Sequence, residues 1–255
     1  MIPISDADAV RRGRPFVNIA LIAINAVVFI YELGLSDFET FRFTYQFGII
    51  PRELTSGAPL DLLPVRTPVG ILGVDVASPI PAWGTVFTSM FMHGGWMHFL
   101  GNMLYLWVFG DNVEARLGHI KYLLFYLGAG VAAAWAQVAT DLDSTVPLIG
   151  ASGAISGVLG AYLLLYPYNR VTTLVFFFII TVIQVPALLV LGVWFILQLF
   201  NGVGSLGPAA SGVGVAYMAH VGGFAAGALF IAGYKLLLRE PLWPRPPYYW
   251  RPWRF

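Results

Sequence analysis

Gly150-Ala151-Ser152-Gly153-Ala154-Ile155-Ser156-Gly157 opens an apolar run that ends near Pro167. The run is rich in small residues, and Ser152 falls in the first turn of the span it predicts. Two readings of the stretch compete. Small residues at i and i+4, here Gly153 and Gly157, let two membrane helices approach closely, and the hydroxyl is then incidental to packing. Alternatively, flanking glycines leave the hydroxyl accessible, and the free backbone N–H groups of a helix start stabilise an oxyanion. The rest of the chain decides between them.

Outward from this stretch the composition is that of a membrane protein. The 255 residues are 58% hydrophobic and 11% charged, against roughly 25% charged in soluble domains. The chain has no cysteine, which excludes disulfides, thiolate metal sites and a cysteine nucleophile. The first apolar run follows Arg11, Arg12 and Arg14 and continues to about residue 35 with no small-x-small cleavage site, so it reads as a retained span.

A bilayer core takes about 20 apolar residues per helix. Six stretches qualify or nearly do, at 16–34, 96–114, 120–139, 151–167, 171–200 and 216–237. The expected fold is an all-α membrane protein, a bundle of six transmembrane helices. The fifth stretch is long and is interrupted at Pro186, which predicts a kink or tilt. Expected boundaries are an N-terminal segment 1–15, a six-span body 16–239 with an outer loop at 35–95, and a Pro/Trp/Arg-rich tail 240–255. Basic residues orient the bundle. With the N-terminus inside, inner segments hold Arg11, Arg12, Arg14, Arg116, Lys121, Arg170, Lys235, Arg239, Arg245, Arg251 and Arg254. Outer segments hold only Arg42, Arg52 and Arg66, so both termini are expected in the cytoplasm. His119, beside Lys121, reads as solvated charge, and Asn18 and Asn25 receive no function.

On this topology the unusual residues share one depth. His98 and Asn102 are four apart in the second span and share a face. His93 just precedes them, Ser152 starts the fourth span, and His220 lies in the first turns of the sixth. At a rise of about 1.5 Å per residue, all sit within roughly 5–10 Å of the outer boundary. Ionisable groups inside a membrane are functional candidates. A serine hydroxyl needs a base, and His220 is the candidate. His98, Asn102 and the Ser152 backbone N–H are candidate oxyanion donors. No Asp or Glu occurs between Ser144 and Arg239, so a Ser-His dyad is expected. Each residue also has a plain structural reading: His98 and Asn102 as helix cross-links, His220 as a satisfied core histidine. Their convergence at one depth favours the chemical reading. Gly222, Gly223 and Gly227 give the sixth span a small-residue face for packing on the fourth.

These residues resemble those of the rhomboid intramembrane serine proteases, over about residues 80–230 and more loosely over the first span and loop. His93, His98 and Asn102 match a His-x4-His-x3-Asn motif, and Glu114-Ala115-Arg116 a Glu-x-Arg motif. Gly150 to Gly153 match Gly-x-Ser-Gly, and Ala219-His220-Val221-Gly222 matches Ala-His-x-Gly, with Gly223 and Gly227 at glycine-packing positions. The resemblance implies Ser152 as nucleophile, His220 as base, and His98 and Asn102 in the oxyanion hole. It gives His93 a supporting role, and Glu114 and Arg116 a structural one. Two positions depart from the family pattern. Trp83-Gly84 stands where Trp-Arg is usual, and Ser156 stands where a tyrosine usually stacks on the catalytic histidine. Ser156 or another side chain is then expected to orient His220.

The expected function is therefore hydrolysis of peptide bonds in the transmembrane segments of other membrane proteins, in a prokaryotic plasma membrane, with no cofactor, metal or nucleic acid. The resemblance further implies substrate helices with small or helix-breaking residues near the outer face, with the physical rationale that a helix must unwind before its carbonyl can be attacked. The competing readings are an inactive rhomboid-like adaptor, a polytopic transporter, and a zinc protease using His93, His98 and His220. The five-residue histidine spacing and the lack of a glutamate within the motif argue against zinc.

Overall fold

The computed structural model describes residues 2–8, 13–67, 70–176, 180–206 and 214–246. Arg11, Arg12, Arg251 and Arg254, and the tail beyond residue 246, lie outside the described residues, as does the Arg66 side chain. The chain begins with strand β1 (Ile2–Asp6) and helix α1 (Phe16–Leu33). Next come α2 (Asp37–Phe47), α3 (Pro51–Ser56), strands β2 (Leu62–Thr67) and β3 (Gly70–Asp75), α4 (Ala82–Thr88) and a 3-10 turn at Ser89–Phe91. Then follow α5 (Trp96–Leu117), α6 (His119–Val138), α7 (Ser152–Leu165), β4 (Arg170–Phe176), β5 (Ile180–Pro186), α8 (Ala187–Gly204) and α9 (Tyr217–Leu237).

The expected all-α bundle is corrected here: the chain is mostly helical, with five strands among the described residues. Among the described residues three helices, α1, α8 and α9, are long and apolar enough to cross a membrane, and α7 is a shorter apolar helix. The fifth apolar stretch is not one kinked helix. Residues Arg170–Phe176 and Ile180–Pro186 form an antiparallel hairpin, and β1 adds to it in the order β1-β4-β5. The β-branched residues Val171, Thr172, Thr173 and Val175 suit a pleated strand. Pro186 then ends β5 and caps α8, where a missing N–H costs nothing. The 35–95 loop is largely ordered. Ser36 and Glu39 make a reciprocal capping box that starts α2, and β2 pairs with β3.

Helix α7 sits at the centre, and most of its residues are buried, as expected of a helix apolar on all sides. It meets α9 backbone to backbone. A Cβ placed on Gly227 would lie 1.9 Å from the Gly157 carbonyl oxygen, and one on Gly223 would lie 2.1 Å from that of Gly153. At the far end of α7, Tyr162 donates its hydroxyl hydrogen to the Asp6 carboxylate of β1, and Asn112 Nδ2 donates to the same group at 2.8 Å.

Candidate active site

The start of α7 is shaped by Gly150, whose φ of 126° is available to few residues other than glycine. Its N–H donates to the Ser89 carbonyl at 2.9 Å, which holds the turn against the 3-10 segment. A Cβ at this position would lie 2.6 Å from His98 Nε2, so a side chain here would displace that ring. Ser152, two residues on, is the first residue of α7, and it is partly exposed.

Helix α9 begins with its N–H groups satisfied from another helix. Gln137 Oε1 on α6 accepts the N–H of Met218 at 3.1 Å and of Ala219 at 3.2 Å. This fixes the first turn of α9, from which His220 projects, only 9% exposed. His220 Nε2 and Ser152 Oγ are hydrogen-bonded at 2.8 Å. His220 Nδ1 is hydrogen-bonded to Gln198 Oε1 of α8, also at 2.8 Å. The Trp194 ring lies against that of His220, with centroids 5.9 Å apart and planes at 35°. A cavity of ≈ 40 Å³ borders Ser152 and is lined also by Ser89, Met90, Gln137, Gly153 and Ala219. That is room for a water.

His98 and Asn102 lie one turn apart on α5. His98 Nδ1 accepts the Gly94 N–H at 3.3 Å, which leaves the ring's hydrogen on Nε2, the nitrogen facing Gly150. Asn102 Nδ2 is buried and has no hydrogen-bond partner among the described residues. The His93 ring makes an edge contact with His98 at 5.2 Å and another with Phe29 at 6.2 Å. Its backbone N–H donates to Glu32 of α1 at 3.1 Å, while both ring nitrogens lack a partner among the described residues.

The remaining sequence candidates sit elsewhere. Gly153, Gly223 and Gly227 line the α7–α9 contact. Glu114 and Arg116 are at the opposite end of α5. Glu114 accepts the backbone N–H of Val17 and Asn18 and bonds His119, and Arg116 pairs with Glu240. His119 is thus the partner of a buried carboxylate, where solvated charge was expected. Ser156 does not orient His220: it donates to the Ser152 carbonyl at 2.6 Å. Gln198 and Gln137 were missed. Gln198 carries a signal, a lone amide in the apolar run from Ala187 to Phe200, since such a group in a span must find a partner.

A chain with bilayer-length apolar helices, and a serine and histidine hydrogen-bonded between two glycine-packed helices, belongs to the integral membrane proteins. Residues 81–236 match the family model of the Rhomboid domain, and the chain belongs to the rhomboid family. It is 29% identical over 150 residues to Rhomboid protein 1, mitochondrial, of Saccharomyces cerevisiae, covering 57% of this chain and 40% of that one. It is 40% identical over 88 residues to the Rhomboid protease GluP of Bacillus subtilis, covering 34% and 17%. To RHOMBOID-like protein 5 of Arabidopsis thaliana it is 29% identical over 161 residues, covering 60% and 44%. The chain spans less than half the length of each of these relatives.

Proposed function

We propose that this chain is an intramembrane serine endopeptidase that cleaves transmembrane segments of other membrane proteins, with Ser152 as nucleophile and His220 as base. The observation that carries the reading is the 2.8 Å contact between Ser152 Oγ and His220 Nε2, made across two helices whose glycines permit their close approach. Oγ attacks the scissile carbonyl carbon while Nε2 takes its proton. The tetrahedral oxyanion accepts hydrogen bonds from His98 Nε2–H, from the unpartnered Asn102 Nδ2 and from the Ser152 N–H. Collapse breaks the C–N bond, and His220 returns the proton to the leaving amine. A water, delivered through the cavity beside Ser152, then hydrolyses the acyl ester with His220 again as base. His93 packs behind His98 and holds its ring.

The same reading takes α1 and α5–α9 as six spans, with both termini in the cytoplasm and residues 35–95 outside a plasma membrane. It rests on the basic residues at the α5–α6 and α9 ends. The body is 16–239, flanked by segments 1–15 and 240–255. Substrate helices carry small or helix-breaking residues, because an intact helix has no free carbonyl to offer. The test is a fluorophosphonate probe on the purified full chain together with cleavage of a transmembrane reporter in detergent. Labelling abolished by Ser152→Ala is expected. A folded protein that neither labels nor cleaves is an inactive adaptor, and the proposal fails.

A further inference from the structure

We infer that Gln198 is a positioning residue for the proposed chemistry: its side-chain carbonyl holds His220 in the one tautomer that can take a proton from Ser152. The inference rests on Ser152 and His220 acting as nucleophile and base. It replaces the two-residue arrangement expected from the absence of acidic residues with a Ser–His–Gln relay of hydrogen bonds, the third member uncharged.

A neutral imidazole has one proton and two nitrogens, and the group facing each nitrogen decides where that proton sits. Gln198 Oε1 stands 2.8 Å from Nδ1 and is an acceptor only, so Nδ1 must be the protonated nitrogen. Nε2 is then a lone pair, and it is this nitrogen that meets Ser152 Oγ at 2.8 Å. The hydroxyl hydrogen therefore points at its base before any substrate arrives. With the amide reversed, Gln198 would donate to Nδ1, the proton would move to Nε2, and Ser152 would face a donor in place of a base. Trp194, one turn before Gln198 on α8, lies against the imidazole and restrains its plane. The two residues thus act from one helix, one on the ring's edge and one on its face.

The choice of an amide follows from the solvent. An ionised carboxylate is costly within a membrane helix, and α8 is otherwise apolar around Gln198. An amide supplies the acceptor oxygen without the charge. Gln198 neither touches the scissile bond nor moves a proton, and its effect reaches the reaction only through His220.

The experiment uses the full chain in micelles and two readouts. Nitrogen-15 NMR of labelled histidine, with the His220 signal assigned by its loss in His220→Ala, reports which ring nitrogen carries the proton. The expected result is Nδ1–H in the wild type and a mixture of tautomers in Gln198→Met, which keeps shape but has no acceptor oxygen. The second readout is the rate of fluorophosphonate labelling. Gln198→Met is expected to label at least about tenfold more slowly, short of the ~10⁴ cost of a wrong tautomer in a carboxylate triad. Its unfolding temperature should be unchanged, and Gln198→Glu, which restores an acceptor, should recover most of the rate. Nε2–H in the wild type, an unaltered tautomer in Gln198→Met, or a Gln198→Glu no faster than Gln198→Met overturns the inference. A wild type that does not label defeats the protease reading alone, and the tautomer still judges Gln198. Should Gln198→Met fail to fold, the wild-type tautomer still decides: Nδ1–H supports the inference and Nε2–H overturns it.

Discussion

Glu114 on α5 accepts the backbone N–H of Asn18 on α1 at 2.7 Å, and with its other oxygen that of Val17 at 3.0 Å. The cap of α1 is Pro15, which offers no side-chain cap, so the N–H groups of the second and third residues of that helix depend on a carboxylate 96 residues beyond Asn18. Asn18 extends the tie, donating to the Leu106 carbonyl and accepting the Tyr122 hydroxyl hydrogen. Glu114→Ala is expected to cost about 1–3 kcal/mol, since it strands buried donors. Thermal unfolding in detergent reads this. Fluorophosphonate labelling of the folded fraction should be unchanged, because Glu114 sits at the end of α5 away from Ser152. Wild-type stability, or a folded variant that no longer labels, would contradict this account.

Gly227→Ala tests the α7–α9 contact. Its Cβ would fall 1.9 Å from the Gly157 carbonyl oxygen, a backbone atom that cannot rotate away. The helices must separate, which costs about 1–3 kcal/mol as overpacking and lengthens the Ser152–His220 distance. Both the unfolding temperature and the labelling rate are expected to fall. Retention of both would mean that the two helices are not held at this spacing.

Substitutions at Ser152 and Ser156 test the proposed nucleophile against a packing hydroxyl. Ser152→Ala should lower reporter cleavage by roughly 10³-fold or more, the scale of nucleophile loss in serine hydrolases. Ser156 spends its hydrogen on the Ser152 carbonyl, so Ser156→Ala should keep cleavage within about tenfold. Robust cleavage by well-folded Ser152→Ala would sink the assignment.

Asn102 is expected to act on developing charge. Its Nδ2 lacks a partner among the described residues, so Asn102→Ala removes a donor that the ground state does not use. Turnover should fall by roughly 10²–10³ with little change in KM. An unchanged turnover with a raised KM would make Asn102 a substrate-binding contact.

The reach of the sequence was uneven, for physical reasons. Ser152 and His220 were legible because polar groups in apolar spans are conspicuous, and the helix rise placed both at one depth. Their actual contact required the glycines of α9, which were also legible as small-residue spacing. The hairpin of β4 and β5 was not, because a long apolar run has the same composition whether it is one helix or two strands and a helix. Only the β-branched residues before Pro186 distinguish them. The place of Gln198 beside His220 is not marked by any charge, because an amide inside an apolar helix meets the same ring nitrogen that a carboxylate would. The role of Glu114 was hidden because its partners are backbone N–H groups, which no side-chain pattern records.

The N-terminal segment offers a pH test outside the spans. The Arg170 side chain, hydrogen-bonded to Asp8, holds that carboxyl below its ordinary value, while burial pushes Asp6 up. A depressed carboxyl stabilises the fold above its unfolded value, near 3.8, and that contribution is lost as pH falls through the folded one. The stability difference between wild type and Asp8→Asn should be full at neutral pH and shrink below about pH 4. Asp6 has the opposite sign and is present in both proteins, so the part of its shift that comes from burial cancels, while the part raised by the Asp8 charge does not. A difference independent of pH would show that the Asp8–Arg170 pair is not formed in solution.

The pairing of Ile2 with Leu174 also imposes an order on biosynthesis. A ribosome delivers β1 first and its partner β4 only after α1, α5, α6 and α7 have all been made. Until then the strand's N–H and C=O groups have no sheet to join, and closing so long a loop carries its entropic cost in one step. β1 is therefore a latch that can close fully only late: β4 and Tyr162 are not there to receive it until the helix bearing Ser152 has been made.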